Sequence, residues 1–136
     1  MKDLSDNSSI KRKYNLKKEE RLCSKKVIDK IFAEGKSILV FPLKIVFIKD
    51  PGELKSPVQV AFSVGKKNFK RAVHRNAIKR KMKEAYRLNK IPLWEVINDK
   101  QLAVFFIFIG KKLPDFKQLD TAMKRGIERV SKEINR

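Results

Sequence analysis

The apolar run Leu102 to Ile109 (LAVFFIFI) constrains the fold more than any other stretch of the chain. It is rich in aromatic and β-branched residues and too short for a typical helix, so it reads as a central strand. It is also far short of the ~20 residues that a membrane-crossing helix needs. Gly110-Lys111-Lys112 ends it. The segment Val58 to Val64 alternates: Val58, Val60, Phe62 and Val64 face one way, and Gln59, Ala61 and Ser63 the other. That is the period of a strand with one face on a core and a second, small and mildly polar face open to a ligand or solvent.

Other elements follow from local signals. Ser24 to Glu34 has a helical pattern with Val27, Ile28, Ile31 and Phe32 on one face, and Gly35 stands where a left-handed residue is expected to end the helix. Ile38 to Ile48 reads as a strand that Pro42 limits to an edge or an irregular entry, and Asp50-Pro51-Gly52 is a turn. Lys90 to Lys100 reads as a connection with Trp94 capping the core edge. Pro114 and Asp115 open a last helix whose Phe116, Leu119, Met123, Ile127, Val130 and Ile134 form a core stripe. The order is α-β-β-β-α-β-α, an α+β sandwich of about four strands and three helices. Residues 1–10 form a polar, pattern-free tail, and residues 11–136 one domain.

Between the two clear strands, Gly65-Lys66-Lys67-Asn68 leads into Phe69 to Asn89, which reads as one helix with two different faces. Asn76, Lys79, Arg80, Lys83 and Arg87 share one arc, while Ile78, Met82 and Ala85 lie roughly opposite, with Ala77 and Leu88 at the margin. The apolar stripe docks on a core. Like charges at i, i+4 cost an isolated helix a few tenths of a kcal/mol per pair, and Glu84 is the only carboxylate in the stretch. A polyanion along that face relieves the repulsion, and phosphate fits best. A merely solvated face would mix signs.

The charge totals agree, with 34 Lys plus Arg against 15 Asp plus Glu, a net +19. Such a balance argues for an anionic partner and predicts salt-sensitive association. The arm KRKYNLKKEERL (Lys11 to Leu22) is either a solvated tail or a segment that orders on nucleic acid. Its acidic pair, Glu19-Glu20, is expected to be solvated. One cysteine, Cys23, excludes an internal disulfide framework and suits a reducing cytoplasm; its expected place is a half-buried helix position.

Chemistry within the chain is hard to assemble. His74 and Cys23 are too few for a zinc site of the usual type. His74 lies in the basic stretch with no carboxylate near in sequence, which suits an RNA-facing or surface residue better than a catalytic base. Gly65-Lys66-Lys67 lacks the earlier glycine of a phosphate-binding loop. Groups that break bonds would come from a partner.

The segment Val60 to Arg87 resembles the signature region of the bacterial ribonuclease P protein subunit. The match runs through Ser63-Val64-Gly65-Lys66-Lys67, Arg71-Ala72-Val73 and Arg75-Asn76-Ala77-Ile78-Lys79-Arg80. Arg21 to Ser37 is similar to that family's first helix and following glycine. Three positions depart from the pattern: Ala77 replaces an arginine, and Ile28 and Val46 replace two aromatics of the family's cleft, whereas Phe32 is retained. Arg71 or Lys81 could supply the cation that Ala77 does not.

The resemblance implies a left-handed βαβ crossover and a ribonucleoprotein endonuclease that removes the 5′ leader from precursor tRNA. Its RNA subunit would hold the active-site Mg2+. Lys66, Lys67, Arg71, Arg75, Asn76, Lys79, Arg80, Lys83 and Arg87 would bind RNA phosphates and favour metal binding. Phe32, Val46, Ala61 and Ser63 would line a cleft for the leader. A ribosomal or general structured-RNA-binding protein is the alternative; DNA and membrane partners are not expected.

Overall fold

The computed structural model describes residues 18–52, 54, 56–97 and 100–135. The polar tail, and the arm as far as residue 17, lie outside the described residues. A short 3-10 turn (Lys18–Glu20) precedes α1 (Lys25–Glu34), β1 (Lys36–Val40), β2 (Leu43–Lys49), β3 (Val58–Val64), α2 (Ala72–Asn89), α3 (Ile91–Ile97), β4 (Leu102–Phe108) and α4 (Phe116–Ile134). The strands form one sheet in the order β1-β2-β4-β3. Pairings β1–β2 and β2–β4 are antiparallel and β3–β4 is parallel, so β4, the apolar run, is internal.

Both faces of β4 are covered. On one side Leu102, Val104, Phe106 and Phe108 join Leu43, Ile45, Phe47, Val58, Val60 and Val64 beneath the helices α2, α3 and α4. On the other, α1 lays Val27 and Ile31 over Val46 and Ala103, with Leu22 beside them. The last helix, α4, comes close to β2 at Gly126, where a Cβ would stand 2.3 Å from Ile45 Cδ1 and that side chain would have to shift.

Several elements differ from the sequence expectation. Pro42 splits the strand: Val40 pairs with Leu43 across a two-residue turn, giving the hairpin β1–β2 with β1 on the edge. The connection after Lys90 contains a fourth helix, α3, which starts on the Lys90 carbonyl through Leu93 N (3.0 Å) and Trp94 N (3.2 Å). The basic helix begins at Ala72 rather than Phe69, and Phe69 instead packs on Phe108 with ring centroids 5.9 Å apart. Gly35 is extended (φ −72, ψ 161), not left-handed. Glycine is required there by space, since a Cβ would fall 2.4 Å from the Ile31 carbonyl oxygen and 2.8 Å from that of Phe47.

Burial corrects four side chains. Glu20 is not solvated: it is 2% exposed, with Lys90 Nζ 2.7 Å from its Oε1. Cys23 is exposed, one residue before the Ser24 cap, whose Oγ accepts from Val27 N. Gln59 is buried on the side of β3 expected to be open, because its Nε2 donates to the Glu19 carbonyl (2.7 Å) as the N-terminal segment crosses it. Phe116 leaves the core stripe of α4 and is exposed beside Lys81 and Glu84 of α2.

Candidate nucleic-acid interface

The apolar stripe of α2 orients everything opposite it. Ile78, Met82, Ala85 and Tyr86 are buried, which turns Asn76, Arg80 and Lys83 into solvent and leaves Lys79 and Arg87 at the flanks. Tyr86 completes the stripe, and burial pushes its phenol well above the ordinary range, although the Trp94 N–H donated to it opposes the shift. Lys66, Lys67 and Arg71 are exposed on the approach to the helix. Arg75 has a scaffolding bond set: one of its amino groups donates to the Phe69 and Lys70 carbonyls, each at 2.8 Å, fixing the loop that carries those lysines into the helix. Lys81 is likewise engaged, donating to Pro114 O at 2.8 Å, so of the two cations that could stand in at Ala77, Arg71 is the one directed at solvent.

One carboxylate does reach the basic face. Arg87 Nε donates to Glu84 Oε2 at 3.0 Å, and a second guanidinium nitrogen reaches Oε1. That hydrogen bond holds the Glu84 carboxyl below its usual range and Arg87 above its own. A depressed folded-state pKa means the pair contributes fully above the ordinary carboxylate range and is lost as pH falls through the lowered pKa of the folded protein. Glu84→Gln should therefore change stability at neutral pH by less than about 1 kcal/mol, as for other exposed pairs. By removing the negative charge beside Arg87 it should also steepen the salt dependence of RNA binding by up to ~0.7–0.9 in the log–log slope. Titrating both proteins with RNA at several salt concentrations checks this.

Sequence reasoning missed Arg21. It borders the same surface depression as Arg80, Lys83 and Arg87, held there because Leu22 N donates to Val60 O at 2.8 Å. Its signal lay in the basic arm, but the contacts that bring it to α2, this one and those of Glu19 and Glu20, join residues far apart in sequence.

Register groups three of the four residues expected to line a cleft on one face of the sheet. Val46 and Ala61 both pair with Phe105, in one row across β2, β4 and β3. Ser63 pairs with Ile107 in the next row, which Lys44 and Leu39 complete. Phe32, 55% exposed on α1, meets Phe105 edge-on at 5.2 Å between centroids. Val46 is only 5% exposed and belongs to the floor under α1, whereas Ala61 and Ser63 are half-buried. Phe105 is therefore the aromatic at the centre of this group. The sequence hid it, because an unbroken apolar strand does not reveal which face each residue takes.

Among the described residues no group of three or more His, Cys, Asp or Glu is gathered as a metal site would require. No carboxylate lies within ion-pair reach of the half-buried His74 among those residues. No helix among them is long and apolar enough to cross a membrane.

A family model described as Ribonuclease P matches residues 16–131. The chain belongs to the ribonuclease P protein family. A ribonuclease P protein component from Porphyromonas gingivalis is 36% identical over 123 residues, covering 89% of this chain and 90% of its own length. Another, from Chlorobium phaeobacteroides, is 36% identical and covers 82% and 84% respectively. The fold is similar to a solved Staphylococcus aureus RNase P protein, with TM-score 0.64, 18% identity and coverage of 83% of this chain and 95% of that one. Membership makes the chain a protein component of an endoribonuclease for tRNA processing that pairs protein with ribonuclease P RNA.

Proposed function

We propose that this ribonuclease P protein holds RNA along α2 and the 5′ leader of precursor tRNA across the open rows of its sheet, while the RNA subunit performs the cleavage. The observation that supports this most is the stripe Asn76, Arg80 and Lys83 facing solvent on the helix that follows β3, a strand whose face away from that helix is half-open and uncharged at Ala61 and Ser63. A cationic helix face together with a sheet face of small and aromatic side chains suits a single strand, which offers both phosphates and unstacked bases. Lys66, Lys67, Arg71, Lys79, Arg80 and Lys83 take phosphates. Arg75 works mainly by fixing the loop, and Arg87 shares its charge with Glu84.

Any Mg2+ that serves the reaction is bound by RNA and substrate, and this chain favours that binding by lowering repulsion between phosphates. Phe32 and Phe105 give the leader one aromatic edge; Ile28 and Val46 give it none, so leader affinity comes more from phosphate than from stacking.

Reconstitution with the RNA component tests the assignment. The protein alone should leave precursor tRNA intact, and the complex should process it at lower Mg2+ than the RNA alone and bind it more tightly than mature tRNA. Equal affinity for tRNA with and without a leader would instead indicate a general structured-RNA binder, and cleavage by the protein alone would overturn the division of labour.

A further inference from the structure

One end of the sheet carries a basic and aromatic rim beyond the helix and the cleft. Val64 and Leu43 both pair with Phe108, so the ends of β3 and β4 and the start of β2 are level. The chain leaves β3 as Gly65-Lys66-Lys67, leaves β4 as Ile109-Gly110-Lys111-Lys112, and turns from β1 into β2 through Phe41-Pro42, all at this end. With strands about 4.8 Å apart, two lysine pairs and an aromatic ring follow one another over roughly 10–15 Å.

Phe41 is 66% exposed, the most open aromatic among the described residues. It separates two surface depressions. One, of about 350 Å³, is flanked by Lys117 and Arg125; the other, of about 500 Å³, is bordered by Ile109, Lys111, Lys112 and Leu113. None of these four cations has a carboxylate in ion-pair range among the described residues. The carboxylate on this rim, Asp115, is engaged as a helix cap by Gln118 N at 2.7 Å. An exposed ring alone would suit many partners. Cations on both sides of it select a polyanion that carries flat rings.

The rim is also continuous with the cleft. Ile109 lies two residues beyond Ile107, the partner of Ser63 in the open row, and itself borders the Phe41 depression. A strand crossing Ala61 and Ser63 and leaving over Ile107 arrives here.

We propose that Phe41 is a stacking platform for an unpaired base of the 5′ leader where the leader leaves the cleft, with Lys111 and Lys112 on the neighbouring phosphates. This rests on the cleft reading given above. The test uses the complex reconstituted with the RNA component, and compares wild type, Phe41→Ala and Phe41→Trp for affinity toward precursor tRNAs with progressively longer leaders. Phe41→Ala should bind long-leader precursors about tenfold more weakly, the low-to-middle range for loss of one stacked base, and short-leader precursors normally. Phe41→Trp should match or exceed wild type. Loss of affinity at every leader length would place the ring against the RNA component instead, and no loss at any length would leave the surface to some other partner, such as an acidic protein. Either result overturns the proposal. If wild type itself showed no dependence on leader length, the cleft reading would fail and this platform with it, a pattern distinct from the other two. Because the ring is exposed, unchanged thermal melting should accompany every substitution.

Discussion

Lys90→Met is expected to destabilise the protein by about 3–5 kcal/mol, a large share of the stability of a domain this size. Lys90 and Glu20 are 4% and 2% exposed, and their charged atoms are 2.7 Å apart. Water has been removed from both, so deleting the cation takes away the nearest positive charge that offsets the desolvation of the Glu20 carboxylate. Lys90 Nζ also lies 5.4 Å from the Trp94 ring centroid, and Trp94 in turn donates to the Tyr86 hydroxyl at 3.3 Å. The pair thus ties the N-terminal segment to the junction of α2 and α3, around the outer edge of β3. Replacing both partners, as Glu20→Leu with Lys90→Met, should recover most of the loss, because an apolar pair of similar volume carries no buried charge. Denaturant midpoints of the three proteins, at unchanged m-values, measure this. A single-variant loss under about 1 kcal/mol would show that Glu20 is hydrated in solution. The expected functional consequence is local: once the segment is released, Arg21 no longer stands beside Arg80 and Lys83.

That pair also marks the limit of what the chain discloses by pattern. Periodicity found β3 and the core stripe of α4, because Val58, Val60, Val64, Leu119, Met123, Ile127 and Val130 recur at the spacing their element imposes, and all are buried, while β4 was legible from its unbroken apolarity. The solvent face of α2 was legible for the same reason. Glu20 and Lys90 are separated by 70 residues, and nothing near either one announces the other. Adjacent acids in a basic arm look solvated until the fold brings a lysine to one of them. Gly35 shows a different failure: glycine at a helix end suggests a left-handed turn, but here two carbonyls crowd the site of a Cβ and the backbone continues extended into β1. The group of residues proposed for the leader was legible only in part. Phe32, Ala61 and Ser63 could be proposed one by one, but Phe105, the residue that joins them, emerges only from strand register.

The second large effect concerns Lys79, Arg80 and Lys83, and here function and stability should move in opposite directions. If each meets one RNA phosphate, replacing all three with alanine removes about three released counterions, and the log–log salt slope should flatten by roughly 2–3. At about 0.15 M salt that corresponds to roughly a hundredfold loss in affinity for the RNA component or the precursor complex. Folding should not suffer. Among the described residues none of the three makes an ion pair with a carboxylate, and Lys79 and Lys83 repel one another at i, i+4. Alanine relieves that repulsion and is the best helix former, so the melting temperature should hold or rise slightly. Glu84 and Arg87, left in place, keep their pair as an internal reference for helix integrity. Binding isotherms at several salt concentrations, set beside thermal melts, separate the two quantities. A slope that did not change would mean this face never meets phosphate, and a parallel fall in melting temperature would mean the cations hold the helix together instead of the RNA.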